Sequence, residues 1–272
     1  MHVAYRLLLI MFVCVPIAQA NSFGVRLEKD FYFQDFNDSE IEITATNASG
    51  KLVFADIEVY EGRSTPSSDK VEFDLEKKVL NYDILPESFV VAGKQTRKIR
   101  LIRDANSKAA GAEEYYRIRV IPKSADAALK NNPNLLATLS ADDKQQVEDM
   151  QGATGSVRLF IGSGSVLIVQ DKSKATPQNL QIKARKKTDG IEFDILNNSD
   201  TSLEIDDLRV YFGLKSLPLG DLALRGRKNT TVAFTNDVLK KYSLTGKENF
   251  EQAKFVAQDK KEHAIKIIRS DF

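Results

Sequence analysis

The chain has 272 residues, and its 39 lysines and arginines against 38 aspartates and glutamates leave no bulk charge to hold a nucleic acid. One cysteine, two histidines and no tryptophan are present. Cys14 falls in a leader, so the remainder is excluded from disulfide stapling, thiol catalysis and cysteine-based metal binding.

That leader is Met1–Ala20, which reads as a secretory signal. Arg6 gives the positive end, Leu7–Val13 the apolar core, and Ala18-Gln19-Ala20 a small-x-small cleavage site, so the mature chain is expected to start at Asn21. Pro16 interrupts the run short of the ~20 apolar residues that a spanning helix needs. Lipoprotein processing at Cys14 is the second reading, with Met11 and Val13 as poor flanking residues. Taking 20 from 272 leaves 252 residues with balanced charge, room for two domains of roughly 100–150 residues in a periplasm-like or extracellular space.

Beyond the leader, short alternating runs dominate. Glu40–Asn47 alternates with a period of two and stops at the turn Asn47-Ala48-Ser49-Gly50. Val53–Glu61, Phe89–Val91, Thr96–Ile102, Tyr115–Ile121 and Val157–Ile161 follow, with a turn at Ala92-Gly93-Lys94. Such runs predict an antiparallel sandwich. Residues 123–155 lack alternation and are expected to be a long, mobile loop, with one short helix over Ser140–Glu148 capped by Ser140. The polar stretch Asp171–Pro177 reads as a linker. Strand-like runs then resume at Leu180–Ala184, Gly190–Ile195, Ser202–Ile205, Leu208–Phe212, Thr230–Phe234 and His263–Ile268, with a short helical connection over Asp237–Tyr242. The predicted organisation is all-β: a signal at 1–20, a first sandwich over 21–171 containing the loop, and a second over 172–272.

The order of landmarks in residues 22–170 resembles the periplasmic chaperones of the chaperone–usher pilus pathway. The resemblance is carried by Thr46–Gly50 followed by Phe54–Tyr60, by Leu85–Leu101, which is similar to a P-x-x-F-x-L-x-P-G-x-x-x-x-I-R-L stretch, and by Glu113–Pro122, which is similar to E-x-x-Y-R-V-x-V-x-P. The acidic stretch Val71–Leu75 looks closest to the branch serving colonisation-factor-type pili. The resemblance implies two immunoglobulin-like β-sandwich domains set as an L or boomerang, without catalysis or cofactor. Its expected partners are pilus subunits and an outer-membrane usher, with self-association through the lending edge as a further option. A subunit in that pathway is a sandwich short of one strand, and the chaperone lends an edge strand to fill it.

The family's lending strand is the last of its first domain, which places it at Val157–Ile161. Val157, Leu159 and Ile161 share one face and Phe160 and Arg158 the other, because side chains alternate along a strand. The plain alternative is that these apolar residues line their own core. The family also grips the subunit's terminal carboxylate with two basic residues. Arg158 matches one, and the second is Lys29 or Arg26, with Lys29 nearer the expected offset from Phe33. An arginine fork suits such a carboxylate. Gly152–Gly155 lacks the apolar row that typical members carry before this strand.

Enzyme motifs are missing: no H-E-x-x-H, G-x-S-x-G or phosphate-loop pattern occurs, and His263 stands alone in a strand-like run. Glu113-Glu114 and Asp206-Asp207 are strand neighbours that point to opposite faces. Gly162-Ser163-Gly164-Ser165 reads as a turn and Lys183–Lys187 as a solvated strand end. The rival readings are an exported adhesin or pilus subunit and, behind it, a β-sandwich carbohydrate-active enzyme.

Overall fold

The computed structural model describes residues 22–64, 71–104, 112–152, 159–174, 179–245, 248, 253–258 and 266–268. The expected signal, its cleavage site, His263, Val157 and Arg158 lie outside these residues. Among the described residues no helix is long and apolar enough to cross a membrane, and no cluster of metal-ligating side chains occurs.

The first half is a sandwich of two sheets. One has the order β10 (Leu159–Ile161), β1 (Ser22–Leu27), β3 (Glu40–Asn47), β8 (Thr96–Arg103), β6 (Tyr82–Leu85). The other runs β2 (Phe31–Asp35), β11 (Ser163–Gln170), β9 (Glu113–Lys123), β4 (Val53–Ser64), β5 (Val71–Lys78), with β7 (Ser88–Val91) also paired to β4. The period-two pattern sets the faces: Ile43 and Ala45, Ile57 and Val59, Ile99 and Leu101, Ile118 and Val120, Leu167 and Val169 are all buried in one core between the sheets.

The second half repeats the architecture. A sheet of β12 (Leu180–Lys187), β13 (Gly190–Asn197) and β16 (Asn229–Thr235) faces one of β15 (Lys215–Leu224), β14 (Leu203–Phe212), β17 (Lys254–Gln258) and β18 (Lys266–Ile268). Phe193 centres its separate core, edge-on to Phe234 at 6.2 Å and Phe255 at 6.0 Å. The runs Ser202–Ile205 and Leu208–Phe212, read as separate strands, belong to a single β14 interrupted by a bulge at Asp206-Asp207. The helical connection expected over Asp237–Tyr242 is a short helix, Asn236–Lys241.

Residues 123–155, expected as a mobile loop, are helical over most of their length. α1 (Ala125–Asn131), a 3₁₀ turn (Pro133–Thr138) and α2 (Ala141–Gly152) pack Ala125, Ala128, Leu135 and Val147 onto Leu52 and Phe54. Each of these two α-helices starts on a serine: the Ala127 amide donates to Ser124 Oγ at 3.2 Å and the Asp143 amide to Ser140 Oγ at 3.1 Å. The Ser140 cap was legible in the sequence. The packing was not, because the helices bury few apolar residues and their target, Phe54, sits on the opposite face of β4 from its neighbours Val53 and Ala55.

One local device occurs twice. Asn47, fully buried, donates from Nδ2 to the carbonyls of Lys51 (2.7 Å), Val91 (3.0 Å) and Ala92 (3.1 Å), while its Oδ1 accepts from the Ser49 amide at 2.9 Å. Asn197 does the same to Thr201 (2.8 Å), Leu224 (3.1 Å) and Arg225 (3.2 Å), and accepts from the Ser199 amide at 2.9 Å. Each bracket ties the turn after one strand to a second turn in which a lysine or arginine, Lys94 or Arg227, has positive φ. Beside Lys94, a Cβ on Gly93 would lie 2.6 Å from Gly50, so only glycine lets the two turns touch.

Loss of an amide from either bracket strands buried carbonyls. Asn47→Asp and Asn197→Asp are each expected to lower unfolding stability by about 1–3 kcal/mol, and the double substitution by nearly the sum, since the sites lie in different cores. Chemical denaturation of the three variants checks this; a change below about 0.5 kcal/mol in either single variant would contradict it.

A second buried network crosses the first core. Tyr82 and Tyr116 stack edge-on at 5.1 Å; Tyr116 donates to Glu114 at 3.0 Å and accepts from Asn81 at 2.9 Å; Arg103 pairs with Glu114 at 2.7 Å. Burial, ahead of the neighbouring Glu114 charge, pushes the Tyr116 phenol up to about 12, and burial raises Tyr82 as well. An unfolded tyrosine ionises near pH 10, so the stability these phenols supply is whole below about pH 10 and is lost as pH climbs through the folded values. Tyr116→Phe is expected to start less stable at pH 8 yet decline less steeply between pH 10 and 12 than the unsubstituted protein; parallel declines would show that the phenol is not the titrating group.

Candidate functional site

The first strand begins in one sheet and ends in the other. β1 pairs with β3, and after Lys29-Asp30 the chain continues as β2 beside β11. The last strand of the same sandwich makes the matching change: β10 lies parallel to β1, with Ser22 opposite Leu159 and Gly24 opposite Ile161, and β11 then runs between β2 and β9. The two crossings are fastened together. The Leu27 amide donates to Ser163 Oγ at 2.8 Å, Ser165 Oγ donates to the Lys29 carbonyl, and the Val166 amide donates to the Asp30 carbonyl at 2.9 Å. Gly162-Ser163-Gly164-Ser165, read from sequence as a turn, is therefore a corner at Gly162 followed at once by strand.

Gly162 is glycine for a steric reason. A Cβ there would be driven into the Val120 carbonyl and would stand 2.9 Å from Pro122 Cδ. The close approach lets β10 leave β9 and β11 behind. As a result β10 ends its sheet: among the described residues its only strand partner is β1. Phe160 turns inward against the core, while Ile161 is 50% exposed. The alternation assigned to the lending segment thus places Ile161 outward. The side chain of Leu159, together with Val157 and Arg158, lies outside the described residues.

The two candidate basic partners differ. Arg26 is exposed on β1. Lys29 sits at the crossing and pairs with Glu204 of the second sandwich at 3.6 Å. Around Lys29 a cavity of about 330 Å³ is lined by five carboxylate residues, Glu28, Asp30, Glu204, Asp206 and Asp221, with the aromatic side of Phe31 and Phe33. An incoming carboxylate would meet an excess of negative charge there, whereas Arg26 is not part of that lining.

The two sandwiches meet on a buried polar junction that sequence reading missed. Gln170 Nε2 donates to the Ser202 carbonyl at 2.9 Å, the Ser202 amide donates to Glu113 Oε1, and Ser202 Oγ donates to Glu113 Oε2 at 3.1 Å. Arg225 lies 5.3 Å from the Tyr115 ring centre and reaches Ser64 Oγ at 2.6 Å. Ala223 packs near Phe33, Tyr115 and Ile168 on the outer face of the larger sheet. Glu113 and Glu114 do face opposite ways, one to this junction and one to Arg103. The signal for the junction was weak: Glu113 and Ser202 are 89 residues apart.

No family model matches this chain, and no curated protein matches it either. Among solved structures, it is similar to the CupB2 chaperone of Pseudomonas aeruginosa, at 10% identity over 89% of this chain and 97% of that one, with a TM-score of 0.42. It is similar to the E. coli chaperone DraB at 11% identity over 92% and 99%, with a TM-score of 0.43. The CsuC–CsuE chaperone–tip adhesion subunit pre-assembly complex of Acinetobacter baumannii gives 13% over 90% and 98%, with a TM-score of 0.40. These likenesses are distant in sequence and partial in geometry, and the functional reading rests on the chain's own residues.

Gly162→Val is expected to force β10 away from Val120 without unfolding the sandwich. Hydrogen exchange at Phe160 and Ile161 would then accelerate at least ten-fold while Ile118 and Leu167 keep their protection. Unchanged exchange at Phe160 and Ile161 would show that the corner tolerates a side chain.

Proposed function

We propose that this protein is a periplasmic, non-catalytic chaperone that captures pilus subunits by lending them the edge of β10 and passes them to an outer-membrane usher. The supporting observation is the strand end at Leu159–Ile161: a short strand steered out of the larger sheet at Gly162, bonded along one edge only among the described residues, with a half-exposed isoleucine beside it. An unpaired edge with apolar side chains is what an incomplete sandwich requires and what a free protein ordinarily avoids. The order of sequence landmarks points to the same pathway, with Val71–Leu75 favouring its colonisation-factor-type branch.

In this reading the mature chain begins at Asn21 and the domains meet between residues 171 and 172. Val157, Leu159 and Ile161 supply the apolar row. Arg158 receives the subunit's terminal carboxylate, joined by Arg26 or Lys29. The Lys29–Glu204 pair is partly exposed, so releasing Lys29 costs little, about 0–1 kcal/mol. The same edge would mediate self-association when no subunit is present.

Co-expression with candidate subunits tests the reading. A stable one-to-one complex is expected, with Ile161→Glu abolishing capture and Arg158→Ala weakening it by about 2–5 kcal/mol if a buried carboxylate is left unpaired. Equal recovery of soluble subunit without this protein rejects the chaperone. An unchanged affinity for Arg158→Ala removes that residue from the site.

A further inference from the structure

The second sandwich has a near end and a far end, and its ladders assign residues to each. Asn197 closes β13 and holds the Thr201 carbonyl, and the next residue, Ser202, meets the first sandwich just before β14 begins. The start of β13 and the finish of β14 therefore point away from the first sandwich. Three pieces of chain gather at that far end. In the turn from β12 to β13, Lys187 stands opposite Gly190. In the turn from β14 to β15, Phe212 stands opposite Lys215, and Lys254 of β17 lies alongside, opposite Tyr211. The short helix Asn236–Lys241 is tied to the first of these turns by the Asn236 amide, which donates to the Asp189 carbonyl at 2.8 Å. Its Leu239 and the following Leu244 plug the sandwich, buried with Phe193, Val210 and Phe255. Tyr242, just past the helix, comes within electrostatic range of Arg209 on β14.

The far end is basic. Lys186, Lys187, Lys215, Lys240, Lys241 and Lys254 are all exposed there. The described carboxylates among them are Asp189, Glu192, Asp237 and Glu248. Three of these are engaged: Glu192 pairs with Lys187 at 3.6 Å, Asp237 pairs with Lys240 at 3.2 Å, and Glu248 accepts from the Thr245 amide at 2.7 Å. Lys215, Lys241 and Lys254 make no ion pair among the described residues. In a chain with 39 basic and 38 acidic side chains, such an excess is local.

Apolar surface stands in the middle of this charge. Leu214, at the tip of the hairpin, is 104% exposed, and Tyr242 is 40% exposed. The fold asks for Gly213, whose φ is +64°, as the first central residue of a two-residue hairpin turn. It does not ask for a leucine at the second, where a polar residue serves as well and keeps the tip in water. A lone exposed leucine needs no explanation. One that projects from a rigid tip, among free lysines and beside an amphipathic ring, has the composition of a surface that meets lipid headgroups. A protein partner would call for a broad, closely packed apolar patch, whereas a single apolar tip ringed by cations suits a soft, flat and negatively charged surface.

We infer that the far end of the second sandwich docks onto an anionic phospholipid bilayer, with Leu214 entering the interface, Tyr242 at headgroup depth, and Lys215, Lys241 and Lys254 against the phosphates. The attachment is peripheral and reversible, since it combines one small apolar insertion with screened charge. β10 belongs to the other sandwich, so the docked protein keeps its lending edge free.

The test uses the full mature protein with vesicles of phosphatidylcholine alone and of phosphatidylcholine mixed with phosphatidylglycerol. Sedimentation should show at least ten-fold stronger partitioning onto the anionic vesicles, falling steeply as salt is raised. Lys215→Glu combined with Lys241→Glu should weaken that partitioning about ten-fold, and Leu214→Ser about five-fold, at unchanged melting temperatures. Should the lysine double variant fail to fold, Lys254→Glu takes its place and should weaken binding in the same direction. The chain has no tryptophan, so Leu214→Trp reports from one position. Its emission should move to the blue on anionic vesicles and be quenched by brominated lipid. Leu80→Trp, at a site 95% exposed on the first sandwich, should do neither. Equal partitioning onto both vesicle types, indifference to the substitutions, or an equal response from Leu80→Trp would overturn the inference. Dextran sulfate binding as tightly as the anionic vesicles would overturn it too, by assigning the lysines to a soluble polyanion. The lysine variants should capture subunits as well as the parent does. Loss of capture by the parent with vesicle binding intact would count against the chaperone reading alone.

Discussion

The structure depends on two strands changing sheets at the same level. A sandwich strand that crosses from one sheet to the other must break its ladder at the corner, and the exposed amides and carbonyls need other partners. Here the corners of the first and last strands serve each other: Ser163 and Ser165 hold the backbone at Leu27 and Lys29, and Val166 holds Asp30. Because the crossings are coupled, the segment before Gly162 is carried to the rim of the smaller sheet while the segment after it is buried between two neighbours. One strand thereby acquires an inert half and an accessible half, and the boundary between them is a glycine that no larger residue can replace without displacing Val120 or Pro122.

The paired asparagine brackets supply rigidity on either side of that arrangement. Each sends two amide protons into a set of turn carbonyls and so closes the end of a sandwich with a side chain instead of a ladder. In the second sandwich the bracket has a further consequence. Asn197 holds the Thr201 carbonyl, and the next residue, Ser202, presents its amide, hydroxyl and carbonyl to Glu113 and Gln170 of the first. The junction between the halves is therefore anchored to a turn that is already fixed, and the Lys29–Glu204 contact forms beside it.

Charge is distributed to match. The cavity near Lys29 carries an excess of carboxylates, and the cavity at the root of β10 carries two arginines. The first borders the Lys29 crossing and is lined by Glu204, Asp206 and Asp221 of the second sandwich, and the second borders the corner at Gly162.

Period-two alternation made the strands legible. Glu40–Asn47, Thr96–Ile102 and Gly190–Ile195 were recognisable because one face of each is buried and the other solvated, so polarity itself reports the pleat. The same logic concealed what is buried on both faces or on neither. β11 begins with glycine and serine and ends in a continuous apolar run, and it left no alternation to read. The helices over residues 125–152 hold themselves to the sheet through Ala125, Ala128, Leu135 and Val147, too few to make a periodic stripe. Local chemistry, namely the Ser140 cap, the turn after Asn47 and the alternation that sets Phe160 and Ile161 on opposite faces, was legible in the sequence alone. The exposure of Ile161 at the rim of the smaller sheet and the contact of Glu113 with Ser202 were decided only by the tertiary structure. Each depends on which distant backbone passes alongside, and residue order carries no direct record of that.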